Sequence, residues 1–562
     1  MPASGVRLKC NSATGMLSDM PRLRAKRDVG GMIIRALAKI ARERAWSFRI
    51  CVGVACFAVF AAFCIGVRRD FPTTIGDGNW GRAAFAIGAA LTQMQHGGYG
   101  YVTAEVVDQI LRAGGLTTDP TYLEPLGLHA PDNLRDPTAI NNAIRKAAAF
   151  NWPFNPDNPD EVRGAYNDDI GFVDYVRLSF GLFGYNIISL YLGYFVLFGL
   201  SVCVFAIAFR EETVPIVLMA IVTLAHAALF ASGFFAPGIV ETVADPRFLS
   251  ILAVLPALHI GLFVAERRRF SAASAIGIAI QSALIAFSLL IRATVLWALV
   301  ALALLSLGVL FTSWRKGEVG RLRSLWPLAI LGSVLIIHAW HVQMSLHPRY
   351  HAKGDLGRHV VWHSIFSELA NHPDWPAKYA AQFQHAVGDE LPPTAAKLYL
   401  IRNPPDRPEE VYLTADRQHL TGAAWETYTR KAFFEFFMND PRFVIESFLL
   451  HTPRLLYRRL STLLLSVDRA LIYAVPGLVV FLYLAFLIAA DARHLRSAGF
   501  ATLLLTGYFA VSLLPLALSL PAMMAMADQF FLLLATAGGM FVLLLSFLIR
   551  LILTKGRGPY LA

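Results

Sequence analysis

The stretch at residues 273–312 reads ASAIGIAIQSALIAFSLLIRATVLWALVALALLSLGVLFT. It carries a single charged side chain, Arg292, in forty residues. About 20 apolar residues suffice to cross a hydrocarbon layer of ~30 Å, so the pattern predicts two membrane-spanning helices that meet at Arg292. A charge between two apolar blocks is costly in a membrane. Arg292 is therefore either the tip of a tight outer turn or a functional cation.

Similar apolar blocks recur along the chain, and composition agrees with them. The 562 residues are 56% apolar and only 16% charged, which excludes a water-soluble fold for the whole chain. The sequence predicts an all-α polytopic membrane protein with about ten transmembrane helices. The predicted spans lie near 50–67, 185–209, 213–235, 248–265, 273–291, 293–312, 325–344, 468–490, 498–520 and 528–552.

Basic residues predict which side of the membrane each connection faces. Lys and Arg near span ends favour the cytoplasm, and the first 49 residues hold eleven Lys and Arg against three Asp and Glu, +8 of a net charge of +11. Basic clusters at 266–269, 315–323, 493–496 and 550–557 fall on the same side. We therefore expect both termini in the cytoplasm. The membrane we expect for this multi-pass protein is the bacterial inner (plasma) membrane.

This topology divides the chain into four parts. They are a basic cytoplasmic tail (1–49), a membrane domain (50–344) with a first outer loop (68–184), a second outer region (345–467) and C-terminal membrane helices (468–562). The weakest points are the split at Arg292 and the start of the eighth span, because an error at either would invert the sidedness of all that follows.

Carboxylates mark the first outer loop. Asp77 precedes an alanine-rich segment with helical periodicity, at the membrane boundary, where it could act as a general base or simply cap the helix. Asp168, Asp169 and Asp174 fall within seven residues, just before a span. They could bind a divalent cation or transfer a proton. Alternatively, Asp168 or Asp169 caps a helix predicted over 170–183.

These features together resemble the GT-C superfamily of polytopic glycosyltransferases that use polyprenyl-phosphate sugars. The motif is Gly76-Asp77-Gly78-Asn79-Trp80, followed by the alanine-rich helix and by His96-Gly97-Gly98-Tyr99-Gly100-Tyr101. The topology extends the resemblance over nearly the whole chain. Many members carry paired acids at the first motif, whereas Asp168 and Asp169 come some ninety residues later. Which carboxylate is the base is left open, with Asp77 the first candidate.

The resemblance implies sugar transfer from a polyprenyl-phosphate donor to an extracytoplasmic glycan, lipid or protein. The departing phosphate requires cations, and Arg247 and Arg292 lie at predicted outer ends of spans. Alternatively, Arg247 is an ordinary interfacial anchor. The implied partners are the lipid-linked sugar and membrane lipid, without nucleic acid. The sequence identifies no definite cofactor, although a divalent cation could bind.

Histidines cluster in the second outer region, where eight of the fifteen fall between 338 and 385. His359 and His363 would share a helix face and could ligate a metal. Alternatively, Arg358, Trp362 and His363 contact phosphate or acceptor, or the segment is an ordinary interfacial helix. The aromatic and basic stretch downstream is typical of a helix in the head-group layer.

Two other classes of protein share the topology. A transporter or flippase of a lipid-linked substrate would need polar or helix-breaking groups near mid-membrane, and the span interiors offer mainly His226, Pro256, His259 and Gln281. The hypothesis of a non-catalytic assembly protein does not explain the carboxylates of the first outer loop. The enzyme hypothesis is therefore preferred.

Overall fold

The structure is a computed structural model of the 562-residue chain. It describes residues 44–70, 80–96, 101–102, 137–149, 163–164, 170–231, 249–316, 325–345, 361–408, 411, 422–465, 474–518 and 527–555.

The described chain is helical apart from one two-residue antiparallel ladder, which pairs Tyr101 with Gly164 and Val102 with Arg163. The elements are α1 Arg44–Asp70, α2 Trp80–His96, β1 Tyr101–Val102, α3 Pro137–Ala149, β2 Arg163–Gly164, α4 Ile170–Phe183, α5 Ile188–Ala208, α6 Thr213–Ala231, α7 Val254–Ala265, α8 Ala272–Ile291, α9 Leu296–Arg315, α10 Trp326–Ser345, α11 Val361–Glu368, α12 Trp375–Lys378, α13 Leu391–Arg402, α14 Gly422–Asn439, α15 Pro441–Glu446, α16 Thr452–Leu465, α17 Ala474–Ala489, α18 Ala492–Leu518 and α19 Ala527–Lys555. Short 3₁₀ turns occur at Ser250–Ala253, Ala293–Val295, Leu369–Asn371 and Gly388–Glu390, and a π-helical turn at Ser447–His451.

Six of the described helices are long and apolar enough to cross a membrane. They are Ile188–Ala208, Ala272–Ile291, Leu296–Arg315, Trp326–Ser345, Ala492–Leu514 and Asp528–Thr554. Shorter apolar helices cover Phe48–Ala61, Thr213–Leu229, Ser250–Ala265 and Leu478–Ala489. The six helices indicate a membrane protein. The count of ten spans is still a prediction, because the other four blocks correspond to these shorter segments.

The split at Arg292 is confirmed. Ser271 caps the start of α8 by accepting a hydrogen bond from the Ser274 amide at 3.1 Å. The helix ends at Ile291, and Arg292 has the extended backbone angles φ −149° and ψ 121°. A 3₁₀ turn follows before α9 begins at Leu296. The forty-residue apolar stretch is thus two helices joined at one half-buried arginine.

Side-chain contacts join helix ends that are separated in the sequence. Arg268, after α7, ion-pairs with Glu212 between α5 and α6, and its guanidinium lies 4.3 Å from the centre of the Phe209 ring. Arg550, near the end of α19, donates a hydrogen bond to the carbonyl of Ala489 at the end of α17. All of these positions are predicted on the cytoplasmic side.

The interior of the apolar bundle contains polar groups that join neighbouring helices. Tyr194 Oη lies 2.6 Å from His226 Nε2, between α5 and α6. Gln281 Nε2 donates to the carbonyl of Ser201 at 2.9 Å and lies 3.2 Å from His259 Nδ1. Because these groups are fully buried, the hydrogen bonds offset their desolvation and fix the arrangement of four helices.

The second outer region has an aromatic core of its own. Phe366 of α11, Trp375 of α12 and Phe436 of α14 are buried together, with Phe443 of α15 against them. Asp440 caps α15 by accepting from the Phe443 amide at 3.1 Å, and Pro441 occupies the first turn. The described part of this region is therefore mainly helical.

Candidate functional site at the predicted outer end of the bundle

Arg292 lies where several helix ends meet. The 3₁₀ turn after it contacts the 3₁₀ turn at Ser250–Ala253, which also contacts α8 and α19. Asp528 is buried in the first turn of α19, and Arg292 lies within electrostatic range of its carboxylate. A carboxylate in a first helical turn is stabilised by the helix dipole. An acidic and a basic side chain thus lie near each other at the end of the bundle.

Hydrogen bonds fix the start of α19 beside α18. Gln529 Nε2 donates to the carbonyl of Ser512 at 3.1 Å, and the Gln529 amide donates to Asp528 Oδ1 at 3.1 Å. Tyr508, one turn before Ser512 on α18, is within electrostatic range of Asp528. Tyr508, Asp528 and Arg292 therefore form a polar cluster drawn from α18, α19 and the turn between α8 and α9.

A glycine brings α4 against the turn that carries Arg292. A Cβ atom at Gly171 would lie 2.5 Å from the backbone nitrogen of Ile291 and 2.6 Å from the carbonyl carbon of Leu290. Only glycine permits this approach, since real Cβ contacts do not fall below 3.0 Å. The first turn of α4 is thereby held next to Arg292.

The helix predicted over 170–183 is confirmed as α4, Ile170–Phe183. Asp174 on this helix is buried and pairs with Arg177 at 3.1 Å. Its carboxylate is thus engaged within its own helix. α4 also packs against α2, the helix that follows the Asp77 motif in the sequence.

Five of the predicted site residues lie outside the described residues: Asp77, Asp168, Asp169, Arg247 and Arg358. Two of them are next in sequence to elements near Arg292. Asp169 is adjacent to Ile170, the first residue of α4, and Arg247 comes two residues before Leu249. The roles of all five residues are still predictions.

An apolar cavity of about 270 Å³ opens between α7, α9 and α18. Small and aliphatic side chains line it, among them Ala257, Gly261, Ala298, Leu302 and Gly507. Ala298 belongs to the first turn of α9, close to Arg292 in the chain. Tyr508 also lines the cavity, so the apolar space borders the polar cluster through this ring.

Trp362 and His363 belong to a different part of the molecule. The Trp362 amide donates to Glu426 Oε1 at 2.9 Å, and its ring centre lies 5.4 Å and 5.2 Å from those of Phe433 and Phe434. The His363 ring lies edge-on to Trp425 at 5.4 Å. Both side chains therefore contribute to the packing of α11 on α14. The described residues contain no group of three or more His, Cys, Asp or Glu arranged to hold a metal.

Sequence reasoning missed Asp528 and Tyr508. Asp528 is an acidic residue at the first position of the predicted block 528–552, and an acid at the edge of an apolar span is a signal that could have identified it. Tyr508 gives no such signal, because a tyrosine within a span is ordinary. Its significance depends on the cavity, which only the packing of three distant helices creates.

No protein-family model, curated protein or solved structure matches the chain.

Proposed function

We propose that the protein is a membrane glycosyltransferase that moves a sugar from a polyprenyl-phosphate donor to an extracytoplasmic glycan, lipid or protein. The observation that carries the proposal is the apolar cavity that borders the Tyr508, Asp528 and Arg292 cluster. An isoprenoid chain matches the cavity, and a phosphate matches a cation at the membrane boundary. In this proposal the cluster faces the outside of a bacterial plasma membrane, and both termini are cytoplasmic.

The proposed chemistry assigns separate tasks to the cation and the carboxylate. The bond between the sugar anomeric carbon and the phosphate oxygen breaks, and the lipid phosphate leaves with the electron pair. The acceptor hydroxyl oxygen forms the new bond to the anomeric carbon, and a carboxylate takes the hydroxyl proton. Arg292 stabilises the negative charge on the departing phosphate. Asp77 is the first candidate for the base, followed by Asp168 and Asp169.

The buried polar groups of the span interiors favour an enzyme over a transporter. His226, His259 and Gln281 each hydrogen-bond to a neighbouring helix. These hydrogen bonds join neighbouring helices, so the presence of the three groups does not by itself indicate a mid-membrane substrate site. In this proposal the sugar transfer takes place at the polar cluster, at the outer end of the bundle.

Replacing the candidate bases tests the reaction. The triple variant Asp77→Asn, Asp168→Asn, Asp169→Asn should lose the extracytoplasmic product, because amides cannot accept the acceptor proton. The measurement is mass spectrometry of glycans and lipids from cells in which the variant is the sole copy. The single variants then identify the base. Unchanged products from a well-expressed, membrane-inserted triple variant would exclude the proposed transfer.

Filling the cavity tests the donor site separately. Gly507 lines the cavity, and a Cβ atom there would meet no atom within 4 Å. Gly507→Phe should therefore insert its ring into the cavity and weaken binding of a polyprenyl phosphate at least tenfold, measured by native mass spectrometry in detergent. Gly499→Phe is the matched control. It lies on the same helix with equally open space but is not a lining residue. Equal affinities for both variants would show that the lipid chain does not occupy this cavity.

A further inference from the structure

Glu368 is a buried carboxyl group in the second outer region. It is the last residue of α11 and is 1% exposed. Asn371 Nδ2 donates to its Oε2 at 3.0 Å, and Thr452 Oγ1 lies 2.6 Å from its Oε1. Thr452 is the first residue of α16 and is 84 residues away in the chain. The carboxyl group therefore joins the end of α11 to the junction between the π-helical turn and α16.

The Thr452 hydroxyl has two acceptors within reach. Its Oγ1 lies 2.6 Å from Glu368 Oε1 and 3.0 Å from the carbonyl oxygen of Ser447. A hydroxyl carries one proton and also accepts. If Glu368 were ionised, the carboxylate and the carbonyl would compete for that proton. If Glu368 is neutral, its own proton goes to Thr452 Oγ1 and the threonine proton goes to Ser447, so that every group is satisfied.

We propose that Glu368 is a proton-binding site, neutral in mildly acidic solution, that fastens α11 to the π-helical turn through Thr452. Burial supports this assignment, because it disfavours the charged form and raises the pKa of Glu368 to about 7. The ordinary value for a free glutamate is 4.5. After loss of the Glu368 proton, the Thr452 hydroxyl could donate its single proton to Glu368 or to the Ser447 carbonyl, but not to both.

The neighbouring titratable groups come from three elements. Arg459 of α16 acts electrostatically on Glu368, and it favours the ionised carboxylate. His372 follows the 3₁₀ turn after α11, and its ring centre lies 4.2 Å from that of His451 in the π-helical turn. Protonation of His372 would add positive charge near the same junction, so the experiment must observe the carboxyl group directly.

The proton-binding site is connected to the membrane helices. Leu456 and Leu460 of α16 pack against Leu513 and Leu516 of α18. α18 in turn provides Gly507 and Tyr508 to the wall of the apolar cavity. In this proposal, protonation of Glu368 therefore stabilises the position of α16, which packs against the cavity-lining helix α18. π-helical turns are often found at functional sites.

Infrared spectroscopy of the full-length protein in detergent tests the proposal. At pH 6 the wild type should show a protonated carboxyl C=O band that disappears in Glu368→Gln, and the band should be lost with a midpoint near pH 7. Glu435→Gln, which removes a carboxylate that ion-pairs with Arg402, should leave it unchanged. Absence of a Glu368-dependent band at pH 6 would overturn the proposal.

The same variants separate a proton effect from a packing effect. The amide introduced by Glu368→Gln can donate to Thr452 and accept from Asn371 as the neutral acid does, so E368Q should fold at pH 6. Wild-type stability should fall as pH rises from about 5 to 8, since the folded state holds a proton that the unfolded state releases near its ordinary pKa. The thermal midpoint of E368Q should vary less over this interval. An E368Q protein that fails to fold, or that keeps the wild-type pH dependence, contradicts the assignment.

Replacing Thr452 tests which group donates in the hydrogen bond between Glu368 and Thr452. If neutral Glu368 donates to Thr452, Thr452→Val removes an acceptor of that proton and should lower the midpoint of the infrared titration. If an ionised Glu368 instead accepts from Thr452, the same substitution would raise the midpoint and refute the proposal. Thr452→Ser, which keeps the hydroxyl group, should retain the wild-type midpoint.

Discussion

Replacing Gly171 by alanine is expected to displace α4 from the end of α8 and to destabilise the protein strongly. The added Cβ atom would lie 2.5 Å from a backbone nitrogen, and neither helix backbone can move aside as a flexible side chain could. Overpacking of a core usually costs about 1–3 kcal/mol and sometimes more. Because backbone atoms are the obstacle, we expect the upper end of that range. The measurement is the thermal midpoint of purified protein in detergent, followed by size-exclusion chromatography.

Gly181 provides the control on the same helix. A Cβ atom at Gly181 would meet no atom within 4 Å. Gly181→Ala should therefore be neutral, or stabilising by about 0.5–1 kcal/mol, because alanine favours the helix more than glycine does. A Gly171→Ala protein as stable as Gly181→Ala would mean that α4 does not approach α8 as closely as described.

Replacing Arg292 by glutamine should abolish the proposed transfer. Removing one electrostatic donor from a developing oxyanion typically costs about 10²–10³-fold in rate, and we expect a loss of at least about 10²-fold here. Binding of a polyprenyl phosphate in detergent should weaken in parallel. Arg292→Lys keeps the charge but loses the planar fork and should be intermediate.

Two further substitutions separate phosphate binding from a structural role of Arg292. Arg315→Gln removes an exposed arginine at the other end of α9 and should leave binding unchanged. Asp528→Asn removes the buried carboxyl group near Arg292. It should weaken binding of the polyprenyl phosphate less than Arg292→Gln does, because the phosphate itself can neutralise the arginine. If Asp528→Asn and Arg292→Gln weaken binding of the polyprenyl phosphate equally, Arg292 acts through Asp528 and does not bind the donor.

Periodicity and charge predicted the helices well because the membrane imposes simple requirements. A run of apolar residues must be helical and must have a minimum length, so the blocks on either side of Arg292 were identified correctly. The same requirements do not predict where two helices pack closely against each other. Gly171 lies in a helix whose sequence contains another glycine, and only the position of α8 distinguishes it from Gly181.

The candidate site was only partly predictable for the same reason. Arg292 stood out as a single charge between apolar blocks, and the structure places it at a meeting point of helices. Its neighbours Asp528 and Tyr508 are more than 200 residues away in the chain, so no local pattern could connect them. Trp362 and His363 were candidates because their types are common in binding sites, yet buried aromatic packing uses the same side chains. Asp77, Asp168 and Asp169 are still predictions.

The position of α19 has a consequence for biosynthesis. This helix follows all the other described helices in the chain, yet it packs against α6, α17 and α18 and supplies Asp528 to the cluster. The helices that precede it can insert before it is made, but Asp528 cannot join Arg292 until α19 has been synthesised. A chain that is interrupted before α19 would therefore present Arg292 at the end of the bundle without its acidic neighbour. Synthesis of α19 is in this way a precondition for assembly of the cluster.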